Sequence, residues 1–262
     1  MPELPEVNTF QRYFDQTALD QKIEQAQVHD DKIIRNMDGR SFAEALAGRT
    51  FTGSYRRGKY LFGNLDNGAH VQLHFGMTGD LKYYEAPEDQ PKHERFVFLF
   101  ENGYKLGFDC PRKFARIVYV EDLQQYIEDK QLGEDALQIS LDDFLAQAEG
   151  KKSTLKGFLL NQKYLAGMGN LYVDEVCYQT RIHPASRVHA MPQEALERIH
   201  SKMQEVLQYA VEHNAYYKAY PKDWLWKWRD EEARAPDGTP VSIAKIGGRT
   251  TYYFVGYQKL FD

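Results

Sequence analysis

Apolar residues recur at helical spacing in only a few stretches of this chain. Residues 5 to 18 and 42 to 46 carry that pattern near the start. Pro192 to His213 carries it most clearly, with Leu196, Ile199, Met203, Val206, Leu207 and Ala210 on one face and Glu194, Glu197, Lys202 and Glu205 on others. Such a face packs on a core. Elsewhere apolar residues alternate with polar ones or run together, as in Val71 to Phe75, Phe96 to Glu101, Tyr104 to Asp109 and Ala115 to Val120, and this predicts strands. Asn102-Gly103 between two of these runs signals a hairpin turn.

The second half begins differently. Thr154 to Gln162 reads as a short helix, Lys163 to Gly169 as a glycine-containing turn, and Asn170 to Gln179 as a second helix with Asn170 as its N-cap. Val241 to Ile246 and Thr250 to Phe254 flank Gly247-Gly248-Arg249, a hairpin with the arginine at or next to its tip. Tyr216 to Trp228 is dense in Tyr, Lys and Trp and is expected to pack rather than to stack on bases. The fold class is α+β, with a β-rich domain and its leading helix over 1–120, an acidic connector and domain entry over 121–149, a helical domain over 150–235 and a hairpin over 236–262.

Composition adjusts this picture modestly. The 262 residues suffice for two domains, and 42% hydrophobic content is enough to fill their cores. No apolar run approaches the roughly 20 residues of a membrane span, and no signal-peptide pattern opens the chain, so a cytoplasmic location is expected. Cys110 and Cys177 lack CxxC partners, which leaves no cysteine zinc site to write. The net charge of −5 argues against a polyanionic partner at face value. Residues 121–149, however, hold nine acids and the single base Lys130, a local −8 that leaves +3 on the rest.

The candidate chemistry begins at Pro2-Glu3-Leu4-Pro5-Glu6-Val7. Removal of Met1 would expose a proline amine, a secondary amine able to attack an electrophilic carbon and form an iminium ion. Glu3 beside it could donate or take protons, and Glu6 could hold the amine in place. A frayed acidic terminus is the plainer alternative. Further along, Arg57-Gly58-Lys59 could present an ammonium to a phosphate or sugar, or be a surface turn. His74-Phe75-Gly76-Met77-Thr78-Gly79 would lift Met77 out on a tight loop. Pro111-Arg112-Lys113-Phe114 could wedge a guanidinium and a ring into a duplex, or bury both. Lys151, Lys152, Lys156 and Lys163 lead into Gly167-Met168-Gly169-Asn170, a phosphate-binding arrangement or a plain helix corner.

Taken in order with Leu171-Tyr172-Val173-Asp174-Glu175, Ile182-His183-Pro184 and Gly247-Gly248-Arg249-Thr250-Thr251, these motifs resemble the formamidopyrimidine-DNA glycosylase and endonuclease VIII family across the whole chain. The resemblance implies an N-terminal β-sandwich, a helix-two-turn-helix domain and a C-terminal β-hairpin finger. It implies a monomer that repairs damaged double-stranded DNA as glycosylase and lyase, in the bacterial cytoplasm or a nucleus. Pro2 would attack C1′ of a flipped nucleotide, Glu3 would donate a proton, Lys59 would support β-elimination, and Arg249 would hold phosphate for δ-elimination. Asn170, His93, His74, Arg112, Lys151 and Lys156 match positions that hold the backbone or opposite base, and Met77, Arg112 and Phe114 match those that fill the vacated space. The finger departs from the commoner pattern, since Val241 to Tyr257 contains no cysteine. It looks like the zinc-less fingers of the plant and fungal-type branch, which implies no metal and no cofactor. Asn214 to Pro240 is unlike the loop that clasps 8-oxoguanine in many bacterial relatives, so ring-opened purines and further-oxidised guanines are the expected substrates. If Met1 is retained, the same fold would instead be a non-catalytic damage-binding protein.

Overall fold

The alternating runs of the first half become two sheets in the computed structural model, which describes residues 1–230 and 232–262. The chain divides into two units, Met1–Lys130 and Gln131–Asp262. In the first, α1 (Leu4–Ala18) carries Pro5 in its first turn, where the missing N–H costs nothing, and buries Leu4, Val7, Phe14 and Ala18. There follow β1 (Ile23–Val28), β2 (Ile34–Arg35), α2 (Gly39–Leu46), β3 (Phe51–Arg57), β4 (Tyr60–Leu65), β5 (His70–His74), β6 (Asp80–Tyr84), β7 (Glu94–Phe100), β8 (Lys105–Asp109), β9 (Arg116–Val120) and α3 (Leu123–Asp129).

One sheet runs β1-β7-β8-β6 and the other β2-β9-β5-β4-β3. Apart from β2 with β9, all pairings are antiparallel. Phe96, Phe98 and Phe100 point the same way from β7 because side chains alternate along a strand. Phe98 meets Phe51 of the other sheet edge to face at 5.1 Å, and Phe96 meets Phe42 of α2 at 5.4 Å. These rings belong to one apolar cluster drawn from both sheets and from α1 and α2. Each fully buried Phe contributes about 1.5–3 kcal/mol.

The second unit contains β10 (Glu134–Asp135), α4 (Leu141–Ala148), α5 (Leu155–Leu159), β11 (Leu165–Ala166), α6 (Asn170–Gln179), α7 (Gln193–Glu212), β12 (Ser242–Ile246) and β13 (Arg249–Tyr253). The face of α7 anticipated from spacing is the buried one, and it packs on α4 and α6. A second apolar cluster, Tyr178, Leu225, Ala233, Ala235 and Phe254, seats the hairpin strands. Their turn is Gly247-Gly248 with φ of +58° and +76°, and two positive values in a row are what a type I′ turn requires. Among the described residues no helix is long and apolar enough to cross a membrane.

Arg249 opens β13, paired with Ile246, next to the tip as expected. Two local expectations change. The N-cap of α6 is Gly169, and Asn170 is the first helical residue, which frees its side chain for other work. The acidic stretch is folded: α3 belongs to the first unit, whereas β10 and α4 belong to the second, with β10 pairing parallel to β11.

Gly76 makes a close backbone approach to the 110–115 loop. Its φ is +60°, and a Cβ there would lie 2.5 Å from the carbonyl carbon and oxygen of Phe114. Gly76→Ala is therefore expected to combine left-handed strain with a backbone clash, costing about 1–3 kcal/mol in urea unfolding. Gly48→Ala, with φ +76° and open space around it, measures the strain alone. Equal costs for the two would show that the Phe114 backbone yields freely.

Candidate functional site

The chain start is fixed by a reciprocal cap. The Glu3 N–H donates to Glu6 Oε2 at 2.8 Å, and the Glu3 carboxylate accepts the Glu6 N–H in return. Glu6, read from the sequence as holding the amine, thus orients Glu3. Glu3 is 6% exposed, Pro2 is half-buried ahead of the helix and Met1 is exposed. The helix is held on the five-stranded sheet, with Gln11 Nε2 donating to Ser54 Oγ at 3.0 Å and Phe10 stacked on Phe75 at 4.1 Å.

The same sheet carries Lys59 and His74. Lys59 sits in the two-residue turn Gly58-Lys59 between β3 and β4 and is only 9% exposed. His74 ends β5 with its ring 5.0 Å from that of Tyr60. Its Nδ1 accepts the Gly76 N–H at 3.2 Å, so Nε2 carries the proton. Burial pushes the imidazole down to about 4, and the positive charges of Arg116 and Lys59 push the same way. At neutral pH His74 therefore offers an N–H and no charge.

Two loops beside this region carry exposed groups. Met77 is 41% exposed and Phe114 53%, and the Gly76–Phe114 approach sets their loops back to back. Arg112 lies over the Phe114 ring at 5.1 Å. The 110–115 loop is stapled from several sides. Cys110 N donates to His93 O at 2.9 Å, Arg95 Nε donates to Cys110 O at 3.1 Å, and Lys113 pairs with Asp30 at 2.6 Å. That hydrogen bond from Lys113 holds the Asp30 carboxyl below its usual range. His93 itself is half-buried, and its N–H donates to Asp109 Oδ1 at 2.8 Å. Met77, Arg112 and Phe114 are thus brought together on anchored loops, an arrangement suited to insertion into a stack of bases.

In the second unit Lys151 lies over Tyr164 at 4.5 Å, and Asn170 Nδ2 donates to Thr250 O at 3.1 Å, next to exposed Arg249. Lys156 is a correction. Expected on a phosphate, it is fully buried, with Nζ 2.5 Å from Asp174 Oδ1 and 3.3 Å from Thr250 O. The other oxygen of Asp174 accepts from Arg229 Nη2 at 3.0 Å and from Tyr252 N at 3.3 Å. Burial pushes the Asp174 carboxyl up and the Lys156 ammonium down, each opposed by the charge of the other. Arg229 places a second, permanent cation on the same carboxylate.

Neighbouring Glu175 accepts from Gln179 Nε2 at 2.7 Å and from Trp226 N at 3.1 Å, and burial pushes its carboxyl up to about 7. The Trp226 and Trp228 indoles donate to Tyr217 O and Lys222 O, so the aromatic segment does pack. Sequence reasoning quoted Asp174 and Glu175 within a motif without giving either a role, and it passed over Arg229 and Arg116. A usable signal existed for the first two: Tyr172 to Tyr178 is buried throughout, and acids inside a buried run must be paired or hydrogen-bonded. The hairpin holds no cysteine, both cysteines of the chain are buried elsewhere, and among the described residues no three His, Cys, Asp or Glu come together to hold a metal. The donor set does not fit zinc.

Asp174→Asn is expected to destabilise the second unit by about 3–5 kcal/mol, because it leaves two buried cations short of a partner. Amide exchange at Tyr252 should rise with it. Replacing Asp174, Lys156 and Arg229 together by Leu, Met and Met should recover most of the loss, and a triple variant as weak as the single one would count against the ion cluster. Glu175 gives a pH dependence. Its folded carboxyl keeps a proton up to about 7, against the usual 4.5, so stability should fall as pH rises between those values and stay lower above them. Urea midpoints at several pH values should show that decline in the parent and not in Glu175→Gln.

Comparison with known proteins agrees with this geometry. Residues 1–117 match the formamidopyrimidine-DNA glycosylase N-terminal domain and residues 132–219 the H2TH domain of the same enzymes. A formamidopyrimidine-DNA glycosylase of Arabidopsis thaliana is 32% identical over 100% of this chain and 72% of its own length. One from Herpetosiphon aurantiacus is 33% identical over 96% of this chain and 97% of its own. Among solved structures, Lactococcus lactis formamidopyrimidine-DNA glycosylase bound to DNA containing an abasic site superposes with a TM-score of 0.88 at 24% identity, covering 98% of this chain and 99% of that one. The same enzyme with DNA containing a ring-opened guanine gives 0.87 at 23%, over 98% and 100%. At such identities these structures speak to the fold.

Proposed function

This chain belongs to the formamidopyrimidine-DNA glycosylase family, and from that premise we propose that it is a bifunctional DNA glycosylase and abasic-site lyase acting on oxidised bases in duplex DNA. The observation that carries the reading is the buried Glu3 carboxylate, clamped by Glu6 one residue from the proline nitrogen. With Met1 removed, the Pro2 amine attacks C1′, the glycosidic bond breaks, and Glu3 supplies the proton with which the base leaves. The amine proton passes to O4′ as the C1′–O4′ bond opens, and the resulting iminium acidifies C2′. Loss of a C2′ proton expels the 3′ phosphate, with Lys59 assisting, and a further elimination held by Arg249 expels the 5′ phosphate. Water then releases the sugar remnant from Pro2.

Backbone contacts fall to His74, His93, Arg112, Lys151 and Asn170, while Met77, Arg112 and Phe114 occupy the space left by the flipped nucleotide. The cysteine-free hairpin and the Arabidopsis relative support placement in the zinc-less plant and fungal-type branch. Ring-opened formamidopyrimidines and further-oxidised guanines are the substrates proposed, followed by 8-oxoguanine and oxidised pyrimidines. The enzyme works as a monomer where DNA is kept, in a bacterial cytoplasm or a nucleus.

Borohydride reduces an iminium to a stable amine, so trapping on duplexes with an abasic site, 8-oxoguanine, a guanidinohydantoin or an oxidised pyrimidine should yield an adduct that maps to Pro2. Glu3→Gln should slow base excision by about 10²–10⁴-fold and cleavage of a preformed abasic site much less. No adduct on any duplex, with Met1 gone and DNA bound, would leave only damage binding.

A further inference from the structure

Arg116 stands outside every motif discussed so far, yet it is the cross-strand partner of His74 in the β5–β9 pair. Directly opposed residues of an antiparallel pair point to the same face, with Cβ atoms about 4.5–5.5 Å apart. Arg116 is exposed at the start of β9, and among the described residues no carboxylate lies within ion-pair distance of its guanidinium. Arg40, Arg49 and Arg229, by contrast, are each paired with an acid.

The surroundings of His74 then have a specific chemistry. Tyr60 packs on one side of its ring, Nδ1 is occupied by the Gly76 N–H, and Nε2–H remains as a donor. Arg116 and Lys59 are both close enough for their charges to act on the imidazole. An uncharged N–H donor beside a guanidinium that no acid neutralises is a seat for an anion, and a guanidinium fork matches two oxygens of a phosphodiester.

We propose that Arg116 is a further phosphate-binding residue, its guanidinium gripping the same backbone phosphate as the Nε2–H edge of His74. The inference rests on the DNA-glycosylase reading and adds to it one contact. The site takes a single phosphate and not a run of them. Arg116 also lines a groove of about 770 Å³ whose other residues include Glu121, Asp122 and Asp129, and those acids would repel further backbone.

The test uses the full chain with Met1 removed, titrated with a duplex carrying a reduced abasic site at several salt concentrations. Arg116→Gln is expected to weaken binding about tenfold and to make the slope of log affinity against log salt shallower by about one. Arg116→Lys should restore the slope and most of the affinity, and Arg40→Gln, which removes a paired surface charge, should change neither. Unchanged affinity and slope in Arg116→Gln would overturn the site. So would a loss with unaltered slope that Arg116→Lys does not repair, since Arg116 would then act through packing. Borohydride trapping of the parent protein is read from the same preparation. Its failure sinks the glycosylase reading, whereas a trapped parent with a silent Arg116→Gln sinks only the added phosphate site.

Discussion

The second unit depends on one buried carboxylate. A two-stranded hairpin with strands of five residues is marginal by itself, and among the described residues no metal donor set supports it. Asp174 supplies the link instead, joining Lys156 of α5, Arg229 of the aromatic segment and the Tyr252 amide of β13. Thr250 O is tied in by Lys156 and by Asn170, and Phe254 closes the apolar side against Tyr178. The cluster's value lies more in position than in energy. Taking three charges out of water costs nearly as much as their attraction returns. A hairpin shifted by one residue, however, would move the Tyr252 amide away from the carboxylate and turn its side chains over. The cluster fixes where Arg249 stands.

The first unit uses backbone geometry for the same end. The cap between Glu3 and Glu6 sets one carboxylate at the root of α1. A tight hairpin turn carries Lys59, and the end of β5 carries His74. The exposed Met77 and Phe114 need loops that do not collapse over them, since both would gain by burial. The Gly76 contact with the Phe114 backbone, the hydrogen bonds of His93 and Arg95, and the Lys113–Asp30 pair prevent that collapse.

Much of this was legible in the chain. Strands and the long helix α7 follow from periodicity, because one face of each meets a core and the spacing records it. The hairpin followed from two glycines between apolar runs. Lys156 was misread because Lys151-Lys152-Ser153-Thr154 looks like a solvated surface that continues through it. Its neighbours Leu155, Phe158 and Leu159 are all buried, so the lysine lies on the inner face of α5. Its partner Asp174 is eighteen residues away, and no local pattern joins the two. Within the acidic stretch, composition could not place the division between units. That division is set by contacts such as Tyr126 of α3 with Phe62 and Gln72, which bring residues 121–130 to the five-stranded sheet.

Net charge misleads about DNA for a related reason. At physiological salt the screening length is about 8 Å, so a bound backbone responds to charges near it and hardly to the total. What matters is which cations lack an acid. Lys22, Arg40, Arg49, Lys82, Lys113 and Lys202 face a carboxylate within ion-pair distance and present little net field. Arg112 faces a phenyl ring, Lys151 a tyrosine ring, and Arg249 is exposed on a strand held in place from beneath. A ring leaves the charge intact where an acid would cancel it. The total of −5 is therefore compatible with phosphate-binding patches on each unit.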